Sequence, residues 1–307
     1  MDRLISVPYV LRESTPPLLW ILCLCSPSPL SMSLVVIRHG ERLDYTTRDS
    51  GGNWTATASR PFDPPLTPHG IDQAKNAGLR IAELCTEHNL PAPTQAYSSP
   101  LRRCGETLSN AIKNCFPDGA TNTISLEHGL VESANEDWYR SWCVPEANGT
   151  WGGPNAHRKG TPIDEGVLDK RSLEPATTLY NSIEAMNAYD TVACPVNTEH
   201  TSFRDLSGYK WGSFEKEPDQ KTRMRTVADT LAARHNGETI IVCSHGGPCT
   251  HMFEVLTGED WGKAGPCGYT AISVYSYTIE ESGEVKWEKK AVNDVEHTAG
   301  IAGGTWH

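Results

Sequence analysis

Positive charge is in short supply. The chain has 307 residues, with 27 Lys and Arg against 38 Asp and Glu, a formal net charge of −11 and a pI near 5.5. An acidic body repels phosphate backbones, which excludes nucleic acid as the main partner and requires any anion site to be a local basic pocket. Long apolar runs are missing as well. The apolar stretch at residues 17–25 falls far short of the about 20 residues a membrane span needs, so no stable membrane insertion is expected. There is no internal repeat and no low-complexity block. The 10 cysteines, at positions 23, 25, 85, 104, 115, 143, 194, 243, 249 and 267, lack metal-finger spacing, and Cys23 and Cys25 stand too close for a metal knuckle. No His, Asp or Glu cluster at ligand spacing calls for a metal, so neither a metal nor any other cofactor is expected. Disulfide frameworks belong mostly to small secreted domains, and these thiols read as reduced and the protein as cytoplasmic.

Apolar content of 38% with 21% charge is that of a globular protein long enough to bury a substantial core. Residues 17–25, preceded by Arg3 and Arg12, imitate a signal-peptide core, and Met32 stands directly before the first strand pattern. Residues 1–32 therefore read as an N-terminal extension, either signal-like or a mispredicted start. A genuine signal would make the protein secreted or organellar, and only then would the sequons at Asn53 and Asn148 matter.

The remainder, 33–294, reads as one domain, with 295–307 as a frayed tail. Residues 34–37 form a β-branched strand, and 43–66 a Gly-, Thr-, Asp- and Pro-rich loop. Thr67-Pro68 opens a helix reaching about His88. Residues 95–98 make a strand, Pro100 opens a helix carrying Leu101, Leu108, Ala111 and Ile112, and 124–126 make a third strand. This β, α, β, α, β alternation predicts right-handed crossovers and a parallel sheet. Residues 133–217, with Trp138, Trp142, Trp151 and Trp211, read as an irregular insertion holding one helix near 175–188, a lid or subdomain over a pocket. Regularity returns with a helix over 219–235, a strand over 239–243, a helix over 248–256 and closing strands at 270–277 and 284–289, the last with alternating charge suited to a sheet edge.

Two histidines follow strand ends, His39 in Arg38-His39-Gly40-Glu41-Arg42 and His245 in Ser244-His245-Gly246-Gly247. In α/β sheets, ligands bind at the carboxyl ends of strands, so residues far apart in sequence converge there. Arg38, Arg42 and the Arg102-Arg103 pair add guanidinium forks, which grip phosphate oxygens and stay charged at any working pH. Nearby cations should lower the pKa of His39 and leave a lone pair free to attack. A glycine after each histidine would let backbone approach a ligand.

Arg38-His39-Gly40, Ser98-Ser99-Pro100-Leu101-Arg102-Arg103 and His245-Gly246-Gly247, in that order, resemble the histidine phosphatase superfamily, branch 1. The resemblance covers residues 33 to about 290. It implies a three-layer α/β/α fold with a mostly parallel central sheet, phosphoglycerate mutase-like. It also implies a metal-independent phosphomonoester hydrolase working through phosphohistidine. His39 would be the nucleophile, while Arg38, Arg103 and His245 would hold the phosphoryl group. Glu132, in Gly129-Leu130-Val131-Glu132, would be the general acid. Arg42 makes the first motif similar to that of the phosphatase domain of the suppressor of T-cell receptor signalling proteins, where the extra arginine belongs to the phosphate pocket. Phosphoglycerate mutases have Ser in place of Arg42 and Asn or Ser in place of Gly247, which favours hydrolysis. Phosphoglycerate mutase remains the nearest alternative, and a silent phosphatase-like scaffold a third, against which the intact Arg38, His39, Arg103 and His245 speak. The implied partner is a phosphorylated small molecule or a phosphoprotein, with the oligomeric state left open.

Overall fold

The computed structural model describes residues 32–115, 121–133, 180–204 and 215–299. Its centre is β1 (Met32–Arg38), in which residues 34–37 are at most 2% exposed. A strand apolar on both sides needs cover on both faces, and alternate side chains go to different layers. Val35 and Ile37 join Ala77, Ile81 and Leu84 of α2 (Pro68–Glu87) and Leu108 and Ile112 of α3 (Arg102–Cys115). Leu34 and Val36 join Met224, Val227 and Leu231 of α5 (Glu217–Arg234) and Met252, Phe253 and Leu256 of α6 (Gly246–Thr257). Each such aliphatic contributes about 1.5–3 kcal/mol by leaving water.

β4 (Thr239–Ser244) runs parallel to β1, with Ser33 opposite Thr239 and Arg38 opposite Ser244. β2 (Gln95–Ser98) is parallel to β4, and β3 (Ser125–Leu126) to β2. β5 (Ile272–Ile279) and β6 (Val285–Asp294) close the sheet antiparallel, giving the order β3-β2-β4-β1-β5-β6. The expected architecture is present: three layers, α/β/α, on a mostly parallel sheet. β6 is the edge strand its charges suggest.

Several local expectations change. Residues 43–66 contain α1 (Leu43–Asp49) and a 3-10 turn, Trp54–Ala56. At seven residues α1 is too short to register as a periodic pattern, and the Thr46 and Thr47 hydroxyls donating to the Leu43 carbonyl reinforce it. The helix after Pro100 begins at Arg102. Of the helix expected near 175–188, α4 (Ile183–Asn187) lies within the described residues, and 175–179 lie outside them, as do Trp138, Trp142, Trp151 and Trp211. Residues 180–204 pack onto the core, with Met186 fully buried and Asn181 bonded to Asp63 and the Pro100 carbonyl.

The start of the expected tail is not frayed. Residues 296–298 form a 3-10 turn against α2, because Arg80 pairs with Asp294 at 2.8 Å and Glu296 at 3.2 Å, contacts that span more than 200 positions. Residues 300–307 lie outside the described set. Among the described residues no helix is long and apolar enough to cross a membrane.

Candidate active site

β2, β4 and β1 are neighbours, so the turns leaving their carboxyl ends meet. The Ser99 N–H donates to the Cys243 carbonyl (3.0 Å), and the His39 N–H to the Ser244 carbonyl (3.0 Å). These bonds bring His39 and His245 within 5.3 Å, ring centre to ring centre, both essentially buried. His39 Nδ1 lies 2.9 Å from the Gly40 carbonyl oxygen. A carbonyl only accepts, so Nδ1 carries the proton and Nε2 bears the lone pair. Burial, then Arg103, Arg38 and Arg42, hold the His39 pKa well below its ordinary value, as the sequence suggested.

His245 Nδ1 sits 3.1 Å from Arg103 Nη2, and its Nε2 2.8 Å from Ser99 Oγ. A guanidinium only donates, so Nδ1 accepts and the Nε2–H points at Ser99. Burial, then Arg103 and His39, keep this ring neutral too. Cys104 Sγ touches the same imidazole at 3.5 Å.

The three arginines differ in their supports. Arg103 is fully buried, gives Nη1 to the Phe62 carbonyl (3.2 Å), lies 3.9 Å from Asp63 and leaves Nε without a partner. Burial lowers its pKa, and Asp63, itself oriented by the Arg102 N–H and Asn181, offsets part of that. Arg38 donates to the Cys267 carbonyl (2.5 Å) and lies 4.6 Å over the Tyr269 ring. Arg42 sends a two-pronged fork to Asp44, at 3.0 and 2.8 Å, and covers the Tyr45 ring at 4.1 Å. The arginine singled out as an extra phosphate ligand is thus already matched by an acid two residues away.

Glu132 comes from the turn after β3. Its Oε2 is 3.7 Å from His245 Nδ1, and its Oε1 accepts from the Ser133 N–H (2.9 Å). Arg223 of α5 anchors that turn, donating to the Gly129 carbonyl (2.6 Å) and the Val131 carbonyl (3.0 Å) while Glu215 grips its other edge. Sequence reasoning missed Arg223, Asp63, Tyr269 and the role of Ser99, of which only Ser99 stood in a motif. The glycine after His39 also lets the loop cross α2, since a Cβ on Gly40 would lie 2.8 Å from the Gly70 carbonyl oxygen. Among the described residues, no group of three or more His, Cys, Asp or Glu side chains is placed to hold a metal ion.

Five of the expected residues therefore meet: Arg38, His39, Arg103, Glu132 and His245, with Arg42 adjoining. Residues 34–143 and 184–294 match the family described as Histidine phosphatase superfamily (branch 1). The chain belongs to this superfamily. An uncharacterized phosphoglycerate mutase family protein of Acanthamoeba polyphaga mimivirus is 35% identical over 102 residues, which is 32% of this chain. The match spans 42% of the length of that relative. Solved structures similar to this one include a phosphoglycerate mutase from Bacillus anthracis, at 17% identity and TM-score 0.48, covering 89% of this chain and 97% of that one. A mycobacterial glucosyl-3-phosphoglycerate phosphatase gives 15% identity and TM-score 0.46, with 86% and 99% covered. The ecdysone phosphate phosphatase from Bombix mori, in complex with tungstate, gives 17% and 0.47, with 85% and 92% covered.

Proposed function

We propose that this superfamily member is a metal-independent phosphomonoester hydrolase acting through a phosphohistidine on His39. One observation carries the reading: a buried imidazole whose Nδ1–H is committed to the Gly40 carbonyl keeps its Nε2 lone pair unprotonated beside three guanidinium groups. An anionic phosphate ester repels nucleophiles until its charge is matched. Arg38 and Arg103 match it, with the His245 ring held beside them by Arg103 and Ser99, and Arg42 adds positive potential tempered by Asp44. His39 Nε2 attacks phosphorus, forming the P–N bond as the P–O bond to the leaving group breaks. Glu132 supplies the proton to that oxygen, then takes one from the attacking water, whose P–O bond forms as the P–N bond returns its electrons to His39. General acid–base assistance of this kind contributes about 10²–10⁴-fold.

Arg42 and Gly247, where mutases carry Ser and Asn or Ser, favour water over a second substrate hydroxyl as acceptor. The Arg38-to-Arg42 motif is similar to that of the suppressor of T-cell receptor signalling phosphatase domains. The substrate we propose is a phosphorylated small molecule or a phosphoprotein. The seven described cysteines are free and buried, which supports a reducing, cytoplasmic setting.

The test is hydrolysis of an aryl phosphate by the full chain with chelator present, beside His39→Ala and Glu132→Ala. Chelator-resistant activity that disappears in His39→Ala, together with a base-stable, acid-labile phosphoenzyme, is the expected result. Equal activity in His39→Ala rejects the mechanism, and sustained isomerisation of a phosphoglycerate without phosphate release turns the reading to mutase.

A further inference from the structure

The connection into β5, residues 267–271, crosses the carboxyl end of β1 and carries features the scheme above leaves unused. Tyr269 is buried, with 6% of the residue exposed. It lies 5.8 Å from the His39 ring and directly under the Arg38 guanidinium. Its hydroxyl is shut away from solvent and has no hydrogen-bond partner. Buried tyrosine hydroxyls ordinarily have partners, because an orphaned one forfeits its hydration without return. Arg42 and Arg38 are the cations this hydroxyl senses, and Asp44, the nearby acid, is already forked by Arg42. What is missing at this spot is an acceptor in a cationic pocket.

The backbone beside it is strained. Thr270 has φ +52°, the left-handed region that β-branched residues avoid. Three contacts hold it there. Its N–H donates to the His39 carbonyl (3.3 Å), its hydroxyl donates to the Tyr269 carbonyl (2.8 Å), and His297 Nε2–H donates to that hydroxyl (2.9 Å). The packed turn near the C-terminus thereby fixes the aim of Tyr269.

We infer that Tyr269 is a substrate-contact residue whose hydroxyl donates to a non-bridging oxygen of the phosphoryl group bound at His39, Arg38 and Arg103, and that Thr270 positions it. This rests on the phosphatase reading and deepens it. Burial pushes the phenol pKa up to about 12, so the group keeps its proton at neutral pH and has it to donate to a phosphoryl oxygen.

The experiment compares the full chain with Tyr269→Phe in aryl phosphate hydrolysis, in tungstate binding by calorimetry and in thermal melting. A hydrogen bond to a charged group predicts kcat/KM and tungstate affinity lower by about tenfold or more. Because only an unsatisfied hydroxyl is removed, the melting temperature should equal or exceed that of the wild type. Thr270→Gly, which adopts the positive φ without strain, should weaken tungstate binding alone but add no loss on top of Tyr269→Phe. Unchanged kcat/KM and tungstate affinity in Tyr269→Phe, or losses matched by a lower melting temperature, overturn the contact. Additive losses in the double variant overturn the positioning role. If the wild type shows no His39-dependent hydrolysis, the phosphatase reading fails by itself, while tungstate calorimetry still decides the role of Tyr269.

Discussion

Burial keeps His39 and His245 neutral, and the same burial ties folding to pH. Both rings have pKa values well below the ordinary histidine value of 6.5, with desolvation the largest cause and Arg103 the next. The unfolded chain therefore binds protons that the folded site refuses. Their contribution to stability is fully present above about pH 6.5 and is lost as the pH falls from there toward the folded values. Urea denaturation at pH 7.5 and 5.5 should show the wild type losing stability on acidification, and His39→Asn should lose less; an unchanged slope contradicts the shift. The Arg42–Asp44 fork, with side chains 4% and 2% exposed, makes a second prediction. Asp44→Ala removes the acid paired with a buried guanidinium and should lower stability by about 3–5 kcal/mol. Added inorganic phosphate should restore part of it, because an oxyanion then replaces the lost carboxylate, and melts with and without phosphate check this.

At the scale of elements, close crossings of backbone and one long-range clamp set the geometry. A Cβ on Gly78 of α2 would lie 2.3 Å from the Ala111 carbonyl oxygen of α3, so these helices approach as only glycine permits. Gly78→Ala should destabilise by about 1–3 kcal/mol through forced separation, and kcat of the surviving folded protein should change little, since neither helix shifts a reacting group from that end. Arg223 is different. It binds Glu215 and two carbonyls of the turn that bears Glu132, so it joins α5 to the proposed acid. Arg223→Ala should cost about 3–5 kcal/mol as a broken buried pair and should lower kcat more than it raises KM. Steady-state kinetics on the folded fraction would reveal a purely structural role if both constants were unchanged.

For the molecule as a whole, the sheet order and the thiols are what matter. Cys85, Cys104, Cys115, Cys194, Cys243, Cys249 and Cys267 are free and buried, five of them in the core layer shared with α2 and α3 and two in that shared with α5 and α6. A thiol titration should find these seven unreactive in the native protein and all reactive in denaturant; any one of them locked as a disulfide would give a lower count. The family match leaves out residues 144–183 yet resumes at 184, within α4, whose Met186 is buried against Gly105. The segment read as an irregular insertion thus returns to the core well before residue 217.

Strand and helix patterns pointed to a parallel sheet, and the family resemblance carried by three short motifs implied the three layers and five of the residues that meet at the site. That information is local: a β-branched run, a proline after a capping threonine and a histidine after a strand each leave a mark within a few positions. The tertiary structure alone decided what those residues touch. The fork of Arg42 to Asp44 depends on the turn between them, Arg223 reaches carbonyls more than ninety positions away, and Tyr269 meets Arg38 only because β5 lies beside β1. Such contacts are fixed by sheet order and helix packing, which place groups from distant parts of the chain within a few ångströms and leave no period or spacing in the sequence to announce them.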